Sequence, residues 1–301
     1  MSKNLNLKTA LIITTYNQPE LLELSLETAL RQKVAPYEII VADDGSEEKT
    51  ESVVREAAKK STVTIKHVWQ QDLGFRLNHS RNNAIAVAES EYLSLIDGDC
   101  FLDEWFIHDH IYFARQGRYN AGRRIDLNQD LRPQILQTRG ININVFDLNI
   151  SMRKKFHFMR SFVLANMMSS YWSKTKLSSF GWRYGVLGAN LAFFKADAIR
   201  VNGFNELWNC YGEEDLEFCA RLERSGIRKF KLRHCATNYH FSHDHLGVVS
   251  KEKKLTATNP KYLASVNESQ TRCVDSLGLT RALSQKRTPI IVDGYYQKYL
   301  F

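Results

Sequence analysis

The 301-residue chain carries 41 Lys and Arg against 33 Asp and Glu, a formal charge of +8, with 44% hydrophobic residues. A chain of this length and mixture buries its own core, which excludes disordered and fibrous classes. The five cysteines, Cys100, Cys210, Cys219, Cys235 and Cys273, are dispersed and never in C-x-x-C spacing, which argues against a disulfide framework or zinc knuckle.

The N-terminal stretch has only a four-residue apolar core, Ala10 to Ile13, far short of the roughly 18 residues that span a bilayer. Neither signal peptide nor anchor is expected, and a reducing cytoplasm fits. Thr9 to Thr15 reads as a short β-rich strand. A helix follows from Asn17, with Asn17 as N-cap, Pro19 in the first turn, and Leu22, Leu26, Ala29 and Leu30 on one face. Tyr37 to Ala42 is a second strand running into Asp43-Asp44-Gly45-Ser46, where Ser46 can cap a helix over 47–60. Thr62 to Trp69 alternates as a third strand, Asn78 to Ser90 reads as helix, and Tyr92 to Ile96 is a fourth strand leading into Asp97-Gly98-Asp99. Repeated strand and helix units predict a doubly wound, mostly parallel α/β sheet with helices on both faces.

Between Leu148 and Ala196 there are eight Lys and Arg and no acidic residue: Arg153, Lys154, Lys155, Arg160, Lys174, Lys176, Arg183 and Lys195. Phe156, Phe158, Phe162, Tyr171 and Trp172 are interleaved with them. Such a stretch suits nucleic acid, an anionic membrane surface or a phosphorylated ligand. Gly188 to Phe194 then reads as a strand and Val201 to Glu206 as a turn. A helix opens at Tyr211-Gly212-Glu213-Glu214-Asp215 and is expected to bury Leu216, Cys219 and Leu222. Ala236 to Phe241 is a short strand ending near His240, with His243 and His245 beyond, and the tail after Lys251 reads as helix and loop.

Ligands of open α/β sheets bind beyond the carboxyl ends of the strands. Those ends carry Thr14-Thr15-Tyr16-Asn17, Asp43-Asp44 and Asp97-Gly98-Asp99. Neither G-x-G-x-x-G nor G-x-x-x-x-G-K-[ST] stands at the turns, which argues against a dinucleotide site and a P-loop. Residues two apart in extended chain project to one side with Cα atoms roughly 7 Å apart, so Asp97 and Asp99 can address one hard cation or a cation and a ribose. Oxygen ligands suit Mg²⁺ or Mn²⁺; an Asp-Gly turn is the plain alternative. Asp44 can accept the imide N–H of a uracil or merely cap a turn. Tyr16 can supply a stacking face. Arg81 and Asn82 can meet phosphate or base or lie on an exposed helix face. Asp215 can be a general base, although acidic residues at a helix start also complement the dipole. His240 can complete a metal shell beside Asp99 or be an ordinary imidazole.

Together these residues resemble a known family. T-T-Y-N-Q-P at Thr14 to Pro19, V-A-D-D-G-S at Val41 to Ser46 and D-G-D at Asp97 to Asp99 resemble the nucleotide-sugar half of family 2 glycosyltransferases of the GT-A fold. G-A-N-L-A-F at Gly188 to Phe193, N-G-F-N-E at Asn202 to Glu206 and Y-G-E-E-D-L-E-F at Tyr211 to Phe218 resemble the acceptor half shared with a galactosyltransferase-type domain. The transferase domains of bacterial chondroitin polymerases are similar, including D-L-G-F-R-L-N-H-S-R-N at Asp72 to Asn82. The resemblance implies Thr14, Tyr16, Asp43 and Asp44 at the uridine, Arg81 near base or diphosphate, and Asp97 at ribose or metal. It implies Asp99 as metal ligand with His240 or the competing His243, Glu214 on sugar hydroxyls, and Asp215 as base. Asn190, Tyr211 and Glu213 fall on the acceptor side. Tyr211 stands where Trp is common in relatives, and Glu213 where Gly is usual.

The implied architecture is one GT-A domain over 1–250, with a nucleotide-sugar half (9–125), a basic aromatic insert (148–187) and an acceptor half (188–250), then a helical extension over 251–301. The implied activity is metal-dependent, inverting transfer of a hexose from a UDP-sugar to a saccharide or undecaprenyl-diphosphate-linked acceptor in surface polysaccharide or lipopolysaccharide synthesis. No nucleic-acid partner is expected on that reading, and the enzyme would sit in the cytoplasm, touching the membrane through 148–196. The competing reading is a basic, aromatic module for nucleic acid or anionic lipid on a degenerate transferase fold. A nucleotidyltransferase lacks the glycine-rich triphosphate loop it would need near the N-terminus.

Overall fold

The computed structural model describes residues 6–127, 129–139, 189–209, 212, 214–232, 235–241, 272–273, 277–285 and 288–301. The basic aromatic segment, Tyr211, Glu213 and His243 lie outside the described residues.

The first hundred residues alternate as read: β1 (Thr9–Thr15), α1 (Pro19–Leu30), β2 (Glu38–Asp43), α2 (Glu48–Lys59), β3 (Thr64–Trp69), α3 (Leu77–Val87) and β4 (Tyr92–Asp97). There follow β5 (Cys100–Leu102), α4 (Phe106–Phe113), β6 (Arg118–Ala121), β7 (Arg123–Leu127) and α5 (Arg132–Thr138). Beyond the basic segment come β8 (Leu191–Phe194), α6 (Lys195–Arg200), α7 (Glu214–Arg224), β9 (Arg228–Lys231), β10 (Thr237–Phe241), α8 (Leu279–Ser284), β11 (Ile291–Asp293) and β12 (Tyr296–Leu300). Nine strands form one sheet in the order β11-β12-β3-β2-β1-β4-β8-β6-β9, and β5-β10-β7 form a second. From β12 through β4 neighbouring strands run parallel, so the expected doubly wound, mostly parallel sheet is present.

The alternation of side chains along buried strands builds two cores. Ala10, Ile12, Ile40, Ala42, Leu93 and Leu95 face α3, α6, α7 and α8, meeting Ala84, Ala198, Phe218 and Leu279. Leu11, Ile13, Ile39 and Val41 face α1, α2 and α4, meeting Leu22, Leu26, Val54 and Phe106. The result is a three-layer sandwich.

Local differences from the sequence reading have physical causes. Asn17 does not cap α1; it adopts φ +49°, a region that Asn tolerates, and Gln18 is the N-cap. The Asn17 N–H donates to Ser46 Oγ and the Asn17 Oδ1 accepts the Glu47 N–H, both at 2.9 Å, so Asn17 staples two strand-to-helix turns together. Ser46 is used up in that staple, and Glu47 takes the cap position of α2. Leu216 is 40% exposed, whereas Cys219 and Leu222 are buried as expected. The tail is not wholly helical: after α8, residues 291–300 form a hairpin whose second strand pairs in parallel with β3 and extends the main sheet. Among the described residues no helix is long and apolar enough to cross a membrane.

Candidate functional site

Strand register brings the polar clusters level. Thr14 lies opposite Ala42 on one side and Asp97 on the other, so the loops after β1, β2 and β4 open at one edge. Thr14 Oγ1 donates to Asp97 Oδ1 at 3.0 Å, and Gly98 N–H donates to the Thr14 carbonyl at 2.6 Å. Tyr16 is 49% exposed and its hydroxyl donates to Asp72 Oδ2 at 2.9 Å, a contact that raises the phenol above its usual range. The ring face stays available for stacking.

Asp43 and Asp44, adjacent in sequence, do different things. Asp43 is fully buried, with Oδ1 accepting the Ser46 N–H and Oδ2 against His67 Nε2, both at 2.8 Å; it holds the loop and does not reach the cleft. Asp44 accepts from Gln70 Nε2 at 2.5 Å and from the Arg76 N–H at 2.8 Å. Burial pushes its carboxyl up to about 6 against those donors. Gly45 between them sits at φ +97°, and a Cβ there would stand 2.6 Å from the Asp72 backbone, so only glycine lets the 72–76 loop close over the turn.

Arg81 is not on an exposed face. It is 1% exposed, with Nη2 3.5 Å from Asp97 Oδ1 and Nη1 3.3 Å from Glu214 Oε1, its guanidinium carbon 5.0 Å from the Phe204 ring centre. This cation ties the Asp97 strand end to the start of α7. Glu214 also accepts the Gly212 N–H at 3.0 Å. Asp97 is raised by burial, a tendency that the neighbouring Arg81 opposes and Asp99 reinforces. Asp215 is 9% exposed, and its Oδ1 accepts the Leu216 N–H at 2.8 Å.

Asp97 and Asp99 diverge: Asp97 turns to Arg81, while Asp99 Oδ2 lies 3.3 Å from His240 Nε2. His240 Nδ1 faces Asp126 Oδ1 at 2.9 Å, and Arg124 Nε stands 3.1 Å from the same oxygen. Burial alone would lower His240, but the hydrogen bonds to Asp126 and Asp99 prevail and hold it at about 9. Among the described residues no three His, Cys, Asp or Glu side chains are grouped as a ready metal cage. The donor set nonetheless fits a hard or borderline divalent ion: a carboxylate and an imidazole Nε2 face each other, with the imidazole's other nitrogen oriented by a carboxylate.

Asn190 is buried, accepting from or facing His110 Nε2 at 3.0 Å and donating to the Ala236 carbonyl at 2.7 Å and Asn238 Oδ1 at 3.1 Å. It therefore braces β8 against β10 from inside the seam, away from an acceptor surface. Sequence reading assigned no role to Gln70, Asp72, Arg76 or Asp126. Asp72 and Arg76 lay in the quoted D-L-G-F-R segment; Gln70 and Asp126 carry no local signal, because the site residues they touch, Asp44 and His240, are distant in sequence.

The model of glycosyl transferase family 2 matches residues 10–178, more than half of the chain, and the protein belongs to that family. A second model, described as the N-terminal domain of galactosyltransferase, matches residues 171–245. Validoxylamine A glucosyltransferase of Streptomyces hygroscopicus subsp. limoneus is 39% identical over 229 residues, 72% of this chain and 48% of its own length. Chondroitin synthase of Pasteurella multocida (strain Pm70) is 28% identical over 234 residues, 74% of this chain and 24% of its own. The chain thus spans about a quarter to a half of the length of these relatives. The GT-A fold is shared with a Pyrobaculum calidifontis mannosyltransferase solved with GDP-Man and Mn²⁺ (TM-score 0.52, 16% identity, 79% of this chain and 58% of that one). It is shared equally with S. aureus TarS 1-349 in complex with UDP-GlcNAc (TM-score 0.52, 17% identity, 79% and 59%).

Proposed function

We propose that this protein is a metal-dependent, inverting glycosyltransferase that moves a hexose from a UDP-sugar to a saccharide or lipid-linked acceptor in surface polysaccharide synthesis. One observation carries the reading: Arg81 touches both Asp97 and Glu214, so the nucleotide-side strand end and the acceptor-side helix start form one site.

On this reading Tyr16 stacks on the base and Asp44 accepts its imide proton. Mn²⁺ or Mg²⁺ would be held by Asp99 and His240, with His243 as a further candidate, and would neutralise charge on the departing diphosphate. Asp215 takes the proton from the acceptor hydroxyl as that oxygen attacks the anomeric carbon from the face opposite the diphosphate, which inverts the centre. Glu214, fixed by Arg81, orients sugar hydroxyls. The acid-free basic segment is suited by its charge to an anionic membrane or a phosphorylated acceptor lipid.

The test is nucleotide release from UDP-glucose, UDP-galactose, UDP-N-acetylhexosamines and GDP-mannose, with Mn²⁺ and oligosaccharide or lipid-diphosphate acceptors. UDP release from one donor is expected, and Asp215→Asn should lower it by a factor on the order of 10² to 10⁴. Undiminished turnover in Asp215→Asn removes the assigned base. Release from GDP-mannose alone overturns the assignment of uracil to Tyr16 and Asp44.

A further inference from the structure

Asp44 ends a line of hydrogen bonds that begins at the far end of the chain. Arg281 on α8 donates from Nη2 to Asn83 Oδ1 at 2.8 Å. Asn83 Nδ2 donates to Gln70 Oε1 at 2.9 Å, and Gln70 Nε2 donates to Asp44 Oδ1 at 2.5 Å. Asn83 and Gln70 are 1% and 2% exposed, so water cannot substitute for their partners. A guanidinium has donors and no acceptor. Once Arg281 occupies the first carbonyl, each amide in turn must present its N–H₂ forward, and the line points one way, toward the carboxylate.

The direction has a chemical consequence. Burial and the nearby Asp72 favour the neutral carboxyl of Asp44, while the Gln70 donor, the Arg76 N–H and the Arg76 charge favour the carboxylate. An ionised Asp44 can only accept, which suits the N3–H of uracil. A protonated Asp44 would donate, which suits the bare N3 of cytosine. We infer that Arg281, acting through Asn83 and Gln70, is a positioning residue that keeps Asp44 an acceptor and so selects uracil over cytosine nucleotides. The inference rests on the proposed nucleotide site and extends it to residues of the C-terminal helix.

Arg281 also anchors α8, pairing with both oxygens of Glu206 at 2.7 and 2.8 Å, so a loss of binding alone would not separate positioning from anchoring. Calorimetric titration of UDP and of CDP, each with Mn²⁺, from pH 5 to 8 does separate them when applied to the wild type, Arg281→Met, Asn83→Asp and Glu206→Gln. The wild-type UDP/CDP affinity ratio, in which the metal's own pH dependence cancels, should fall as pH drops through about 6. Asn83→Asp is nearly isosteric, yet it accepts from Arg281 without donating to Gln70. It and Arg281→Met should weaken UDP at pH 7 about tenfold, the order of one charge-assisted hydrogen bond. Both should also move the pH midpoint upward and narrow the UDP/CDP ratio. Glu206→Gln should lower the melting temperature while keeping midpoint and ratio. A folded Asn83→Asp with the wild-type midpoint and ratio overturns the inference. A wild type that binds neither nucleotide overturns the nucleotide site, and the inference with it; a site that binds UDP and CDP equally overturns the inference alone.

Discussion

At the scale of single residues, the balance at His240 governs how a metal can enter. The imidazolium donates to two carboxylates, Asp126 at 2.9 Å and Asp99 at 3.3 Å, and these hold it at about 9 instead of 6.5. Because the folded value is the higher one, this pairing stabilises the metal-free fold fully below pH 6.5 and loses that effect as pH rises through about 9. A divalent ion needs the Nε2 lone pair and therefore must displace a proton over that range. Mn²⁺ affinity should rise by about tenfold per pH unit between pH 7 and 9, the signature of one proton released. Calorimetry in buffers of different ionisation enthalpy would count the proton; a flat profile would remove His240 from the metal shell. The pairing of Asp99 with a histidine was legible in the sequence through the family resemblance. The orienting Asp126 was not, because β7 and β10 become neighbours only through parallel pairing across the second sheet.

At the scale of elements, α3 shows where patterning misleads. Its period marks it as a helix, but its buried residues include Asn78, Ser80, Arg81, Asn82 and Asn83, a polar face turned inward. The rule that polar residues face water fails here because each amide has a partner waiting: backbone for Asn78, backbone and carboxylate for Asn82, and the Gln70 amide and Arg281 for Asn83. Asn82 donates to the Phe204 carbonyl at 2.8 Å and Glu206 Oε1 at 3.0 Å, and accepts the Phe204 N–H at 2.9 Å. Asn78 donates to the Asn205 carbonyl at 2.8 Å. Gly203, at φ +65°, leaves room for the Asn82 amide where any Cβ would collide. The N-G-F-N-E motif is thus legible as a motif, but its contribution is to dock the nucleotide-side helix onto the acceptor-side turn. Asn82→Ala should strand the Phe204 N–H and carbonyl in a dry interface and cost about 2–4 kcal/mol. Urea denaturation would read the loss, and a change under 0.5 kcal/mol would mean the interface is wet or relaxes.

At the scale of the whole molecule, the last residues close the sheet that the first residues open. β1, β2 and β4 were legible because strands buried on both faces are largely apolar runs, and β3 because it alternates; its buried Lys66 and His67 meet the carboxylates of Glu38 and Asp43. The final hairpin was not, because an edge pair is half polar and Tyr295-Tyr296-Gln297-Lys298-Tyr299 has no clean period; its one signal was Asp293-Gly294, a hairpin dipeptide. Once paired, Tyr296 and Tyr299 are 2% and 6% exposed. Tyr296 reaches Glu51 at 3.2 Å and faces His67 Nδ1 at 3.3 Å, while Lys298 and Arg55 flank the same Glu51. Burial would raise Glu51, but those two cations overcome it and hold the carboxyl at about 2. The depressed value means that this cluster stabilises the fold above pH 4.5 and loses its effect as pH falls toward about 2. Burying two large side chains contributes roughly 3–6 kcal/mol, so ending the chain at residue 289 should lower the melting temperature and promote self-association through the exposed β3 edge. Glu51→Gln should destabilise less, with its difference from wild type shrinking between pH 5 and pH 2.5. His67 joins Tyr296 to Asp43, the carboxylate that fixes the Asp44 loop, so truncation should also weaken UDP binding before the chain unfolds. Nucleotide affinity measured well below the melting transition, equal in full-length and truncated protein, would show that the hairpin serves stability alone.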